Sequence, residues 1–136
     1  MKTHVLRTSI MAVLIAAAAH AQSPVPFRVD IPFSFAAGKA TLAPGRYEIR
    51  QNKPGLISLQ SRDRKASALM LADNVVCAGV QPASKLVFHR YGSDYVLSQI
   101  WTARDNCGRQ GAVSSREREL AAGQKAPDET VILALR

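Results

Sequence analysis

The chain has 136 residues, 47% of them hydrophobic, and carries 18 Lys and Arg against 10 Asp and Glu for a net charge of +8. That length holds one domain with a modest core and is too short for two. Three histidines and two cysteines leave few soft ligands for a metal centre.

Residues 1 to 21 read as a secretory signal peptide. Lys2, His4 and Arg7 precede an apolar run from Ile10 to Ala19, and Ala19-His20-Ala21 has the small, spaced side chains of an A-x-A cleavage site. The run is too short to cross a bilayer as a stable helix. The mature chain is expected to span residues 22–136, exported to the periplasm or the extracellular medium after cleavage near Ala21. Cleavage leaves 115 residues, His89 as the only histidine, and a net charge of +6, because Lys2 and Arg7 depart with the leader. The nearest later candidate for a membrane span, Ala66 to Val80, is interrupted by Asp73 and Asn74, so no transmembrane anchor is expected.

From Val25 to Phe35 apolar and polar residues alternate strictly, the pattern of a half-buried strand. Pro26 and Pro32 fall on its outward side, which predicts an edge position or a break near Pro32. Turns follow at Ala37-Gly38-Lys39 and Leu42 to Arg46. Strands are expected at Tyr47 to Gln51, Leu56 to Gln60 and Ser67 to Leu71, separated by turns at Asn52 to Gly55 and Arg62 to Lys65. Lys85 to Tyr91 and Asp94 to Trp101 flank Gly92-Ser93, a glycine-first pair suited to a type II′ hairpin. Ala103 to Val113, polar and glycine-containing, reads as a loop. Ser114-Ser-Arg-Glu117 fits a capping box opening a helix of about two turns, with Gly123 placed to stop it. Thr130 to Leu135 is continuously apolar and reads as a last strand completing the core.

Two cysteines in an oxidising compartment point to one disulfide. In the hairpin register, facing residues add up to 185, and Cys77 and Cys107 add up to 184. Their sulfurs would then lie nearly opposite if the hairpin's flanks run on together, although Pro82 interrupts the first flank. Closing that loop stabilises by roughly 3 to 4 kcal/mol in the chain-entropy model.

With His89 alone in the mature chain, neither a zinc site nor a cofactor is expected, and H-E-x-x-H, G-x-S-x-G and phosphate-cradling glycine loops are absent. The best polar group is His89, Tyr91 and Asp94, placed on one hairpin face, where Asp94 would hold the imidazole and Tyr91 present a hydroxyl for a small hydrolase-like enzyme. The bland reading of His89 is a hydrogen-bonded structural residue. Trp101 with Tyr95, Gln99 and Arg90 would suit a sugar-stacking surface, Trp101 alone being an ordinary core residue. The cations at Arg28, Arg46, Arg50, Arg62, Arg64, Lys65, Arg116 and Arg118 are dispersed along the chain among Glu48, Asp63, Glu117 and Glu119, and read as solvated faces and turns. No aromatic-interleaved basic stripe supports nucleic-acid binding. The net positive charge favours weak, salt-sensitive attraction to anionic envelope polymers or lipid head groups.

Phe27 to Phe35 with Leu42 to Tyr47, Leu86 to Gly92 through Tyr95 to Trp101, and Ser115 to Leu120 together resemble a group of small signal-bearing exported proteins of soil bacteria, acidobacterial in type. The resemblance implies a bacterial source and export; the group brings no activity, cofactor or binding residue. The sequence thus predicts an all-β single domain, a sandwich or partly open barrel of about seven or eight strands with one short helix near the C-terminus. Its expected role is a non-catalytic exported module binding an anionic envelope polymer or a protein partner. The alternatives are a small enzyme built on His89 or a self-assembling envelope protein using the Val25 to Phe35 edge.

Overall fold

A computed structural model describes residues 25–123 and 126–135, and the signal-peptide reading of residues 1 to 21 lies outside the described residues. The strands are β1 (Phe27–Ile31), β2 (Phe35–Ala37), β3 (Ala40–Leu42), β4 (Gly45–Lys53), β5 (Leu56–Ser61), β6 (Ser67–Leu71), β7 (Asn74–Cys77), β8 (Lys85–Tyr91), β9 (Asp94–Trp101), β10 (Cys107–Gln110) and β11 (Asp128–Leu133). One helix, α1 (Ser115–Ala122), precedes the last strand. One sheet has the order β1-β4-β5-β6; the other runs β11-β8-β9-β10-β7, with β2 added parallel to β9 and β3 paired to β2. The all-β sandwich with one short helix near the C-terminus is what the chain forms, and neither sheet closes into a barrel.

Pro32 interrupts the long alternation directly after β1, since a residue without an N–H interrupts a ladder. The chain crosses there between sheets: β1 lies at the edge of the four-stranded sheet, and Phe35 then pairs with Tyr95 in the other. Val29 and Ile31 before the break, and Phe35 and Ala37 after it, are buried in one core with Ile49, Ile57, Leu59, Met70, Leu86, Phe88 and Leu97. Phe35 and Phe88 meet edge to face at 5.4 Å.

The eleven strands among the described residues exceed the expected seven or eight because short pieces gain their stability from neighbours distant in sequence. The segment expected as a loop from Ala103 to Val113 contains β10, which pairs with both β9 and β7. The Cys77–Cys107 disulfide forms as expected, but between β7 and β10 as directly paired residues with Cα atoms 4.0 Å apart, not on prolonged flanks of the hairpin. β9 and β10 themselves separate β7 from β8. The final strand is also more exposed than its apolar sequence suggests. β11 is an edge strand, with Ile132 against the core and Val131 and Leu133 exposed. Just beyond it, Leu135 N–H donates to the Arg28 carbonyl at 2.7 Å and links this edge to β1.

The β8–β9 hairpin keeps the expected register from Tyr91↔Asp94 to Phe88↔Leu97. Gly92 takes φ +65° while Ser93 does not enter the positive-φ region, as a type II′ turn requires. Between Val87 and Phe88 the register shifts, and Val87 faces Gln99 instead of Ser98. A bulge of this kind carries every later side chain to the opposite face.

Candidate functional site

The sequence-predicted polar group is only partly assembled. His89 and Tyr91, two apart on β8, share the sheet face on which α1 lies. Glu117, in the first turn of α1, is 7% exposed, and its Oε1 lies 2.9 Å from His89 Nδ1 and accepts from Tyr91 Oη at 3.0 Å. A carboxylate only accepts, so His89 Nδ1 carries the hydrogen that it donates to Glu117. Burial, then the hydrogen bond and charge of Glu117, push the Tyr91 phenol up to about 12, so it stays protonated at neutral pH.

Asp94 does not join this cluster. It sits at the exposed end of the hairpin, 3.8 Å from Arg116, with half of its side chain in water. The capping box is also only half made. Ser114 accepts the Glu117 N–H at 3.1 Å, but the Glu117 carboxylate turns to β8 rather than back to the cap. Among the described residues, the best-formed surface clefts are lined by other side chains than His89, Tyr91 and Glu117. The cluster fastens the helix to the sheet through the shared Glu117 oxygen.

The second predicted group, Arg90, Tyr95, Gln99 and Trp101, is divided by the bulge. Arg90 and Tyr95 pair across the hairpin, with the guanidinium 5.7 Å from the ring centroid, and the far side of Tyr95 belongs to Phe33, stacked at 3.7 Å. Gln99 and Trp101 move to the other face with Val87 and Lys85. Trp101 is 3% exposed, donates Nε1–H to Gln99 Oε1 at 3.0 Å and lies against Gly108, where an added Cβ would stand 2.5 Å from its ring. A buried indole provides no stacking platform.

The dispersed cations converge instead. On the outward face of the four-stranded sheet, Arg28 of β1 pairs across to Glu48 of β4, with Arg46 and Arg50 two residues to either side of it. Glu48 in turn faces Gln60 of β5, and the tight turn after β5 brings Arg62 and Arg64 to the same cleft. Five arginines against the one carboxylate of Glu48, with Gln60 and Ser61, line a concavity of about 340 Å³. Asp63 helps shape that turn: its Oδ1 accepts from Ser61 Oγ at 2.6 Å and from the Lys65 N–H at 3.1 Å, bonds that hold its carboxyl below the usual range. Arg64 adopts φ +61° within the turn.

The acids nearby are already engaged. Asp30 takes both Arg46 nitrogens, at 2.9 and 3.2 Å, and the guanidinium hydrogen bond lowers its pKa. Arg50 holds Glu48, and Arg28 Nε stands 4.0 Å from the same carboxylate. Among the described residues, Arg62 and Arg64 make no ion pair, and Arg28 and Arg50 keep 71% and 57% of their side chains exposed. Exposed guanidinium groups gathered around a concavity suit an anion with several charges. No sequence window held this signal, because the five arginines come from separate strands and a turn.

Among the described residues no group of three or more His, Cys, Asp and Glu side chains converges as metal ligands, and no helix is long and apolar enough to cross a membrane. Comparison with protein-family models, characterised proteins and solved structures finds no match to this chain.

Proposed function

We propose that the protein is an exported, non-catalytic binding module that holds a multiply charged anionic component of the cell envelope in the arginine cleft of the four-stranded sheet. The supporting observation is the meeting of Arg28, Arg46, Arg50, Arg62 and Arg64 around one concavity whose neighbouring carboxylates are already paired. The Cys77–Cys107 disulfide suits an oxidising compartment outside the cytoplasm. The cleft binds by charge and by the forked geometry of guanidinium donors on phosphate or carboxylate groups.

The test is retention of the purified protein on an immobilised soluble polyanion through a salt gradient. The triple variant Arg50→Gln/Arg62→Gln/Arg64→Gln should elute at much lower salt, with affinity down on the order of a hundredfold at about 1 kcal/mol per cation. Arg116→Gln, on α1 and outside the cleft, should elute with the parent protein. Equal elution of the triple variant and the parent, or no retention of either at low salt, would overturn the proposal. Clear turnover by the purified protein on a hydrolase panel would overturn its non-catalytic character.

A further inference from the structure

The arginine cleft occupies only half of its sheet face. Across the strands the outward residues change in order: Arg50 on β4 faces Ser58 on β5, which faces Leu69 on β6, and the next row runs Lys53, Leu56, Leu71. Asn52 and Ser58 join their side chains at 2.9 Å in the middle zone. One row thus passes from cation through hydroxyl to leucine, and the next from cation to two leucines.

Leu69 and Leu71 are 63% and 62% exposed, and Val113, 56% exposed, stands beside them because Ala112 N–H donates to the Leu71 carbonyl. Together they line an open groove of about 840 Å³, and Gln60 lines both this groove and the arginine cleft, making the two one continuous surface. Lys39 stands at the groove's rim. Its turn reaches that position because Gly38, at φ +59°, lies so close to β6 that a Cβ would fall 2.5 Å from the Leu69 carbonyl.

We propose that this face docks on an anionic lipid bilayer, with the β6 edge lowest. Leu69, Leu71 and Val113 enter the acyl boundary, and the arginines of the cleft meet the head groups. The strand spacing sets the scale, since β4 and β6 are two ladder steps apart, about 10 Å. A surface-bound amphipathic element buries its apolar side about 5 to 10 Å into the boundary between head groups and acyl chains. Arginines one such depth above the leucines are level with phosphates. Lys39 beside the apolar edge can extend its ammonium upward along the same interface. A hydrophilic polymer would use the arginines and leave the leucine groove bare. The inference rests on the proposed anion-binding role of the cleft and adds the apolar half of the ligand.

The experiment is flotation of the purified protein with vesicles of phosphatidylcholine alone and of phosphatidylcholine containing phosphatidylglycerol, run beside binding to a soluble polyanion. The protein should float with the anionic vesicles only. Leu69→Ser/Leu71→Ser should lower vesicle partition on the order of tenfold or more while leaving polyanion binding unchanged. Arg50→Gln/Arg64→Gln should weaken both. Val113→Ser, in the segment beside β6, should lower vesicle partition alone and gives a second test outside strand β6.

Polyanion binding without flotation, or flotation indifferent to the leucine and valine variants, would overturn the docking proposal and leave the anion-binding role standing. Equal flotation with neutral vesicles would overturn the contribution of the arginines to docking. Loss of both vesicle and polyanion binding by the unaltered protein would bring down both proposals.

Discussion

Replacing Glu117 by Ala should cost more stability than any other single truncation on the helix. The side chain is 91% buried and its Oε1 makes two hydrogen bonds, to His89 and to Tyr91. Hydrogen bonds to a charged group contribute about 1.5 to 3 kcal/mol each, and removing the shared acceptor leaves the buried Tyr91 hydroxyl and the half-buried His89 Nδ1–H unpaired. The carboxylate also sits in the first turn of α1, where its charge complements the helix dipole by about 0.3 to 1 kcal/mol. Because the two bonds share one oxygen they do not add fully, and the expected loss is about 3 to 5 kcal/mol. Total stability for a domain of this size is on the order of 5 to 15 kcal/mol, so the variant should melt well below the parent, by roughly 12 to 20 °C.

Urea unfolding followed by the fluorescence of buried Trp101 and by circular dichroism measures the effect. Tyr91→Phe removes one donor only and should cost about 1.5 to 3 kcal/mol. Combined with Glu117→Gln in a double-mutant cycle, it should give a coupling energy of about 1 kcal/mol or more. Glu119→Ala, on the same helix with 71% of its side chain exposed, should change stability by less than about 0.5 kcal/mol. A Glu117→Ala variant within about 1 kcal/mol of the parent, or a coupling near zero, would refute the idea that this cluster fastens the helix.

Three further outcomes follow from the same contacts. Unfolded tyrosine ionises near pH 10, whereas Tyr91 stays protonated up to about 12, so the folded state holds the extra proton in between. The contribution of Tyr91 should be intact below pH 10 and vanish as pH rises to 12. Tyr91→Phe should flatten that alkaline loss without abolishing it, because burial also raises the Tyr47 phenol. Cys77→Ser/Cys107→Ser should lose about 3 to 4 kcal/mol in denaturant unfolding, and a reducing agent should bring the parent to the same midpoint while leaving the variant unmoved. Gly108→Ala places a methyl 2.5 Å from the Trp101 ring and 2.9 Å from the Ile100 carbonyl, which should cost about 1 to 3 kcal/mol in melting and shift Trp101 emission to the red.

Much of the fold could be read from sequence where one local rule decided the outcome. Alternation marked β4, the turns around them marked β5 and β6, Gly92-Ser93 set the hairpin register, and Pro32 marked the crossing between sheets. Local rules failed where distant partners decide. Four residues of β10, one of them Gly108, form a strand because β9 and β7 lie on either side. The bulge beside Val87 changes the face of Gln99 and Trp101 with no glycine or proline to mark it. Glu117 was visible as the fourth residue of a capping box, and that pattern is the same whether the carboxylate returns to its cap or reaches across to another element. A half-buried histidine two residues from a buried tyrosine needed an acceptor, and the docked helix supplied it.

The arginine cleft and the leucine groove were hidden for a geometric reason. Hydrophobic periodicity is read along a strand, and along β4 the outward face gives only Arg46, Glu48 and Arg50, the signature of any solvated strand. Along β6 it gives Ser67, Leu69 and Leu71, where two leucines opposite Ala68 and Met70 suggest a strand covered on both sides. The amphipathic direction lies across the ladder, through Arg50, Ser58 and Leu69, residues separated by 8 and 11 positions in the chain. Only strand pairing brings them into one row. A lateral gradient of this kind depends on the register of β5, since a slip of one residue would send Ser58 and Gln60 inward and Ile57 and Leu59 outward. The buried Ile57 and Leu59, 1% and 0% exposed, hold that register firmly. Core packing on one side of the sheet thereby fixes the order of cation, hydroxyl and leucine on the other.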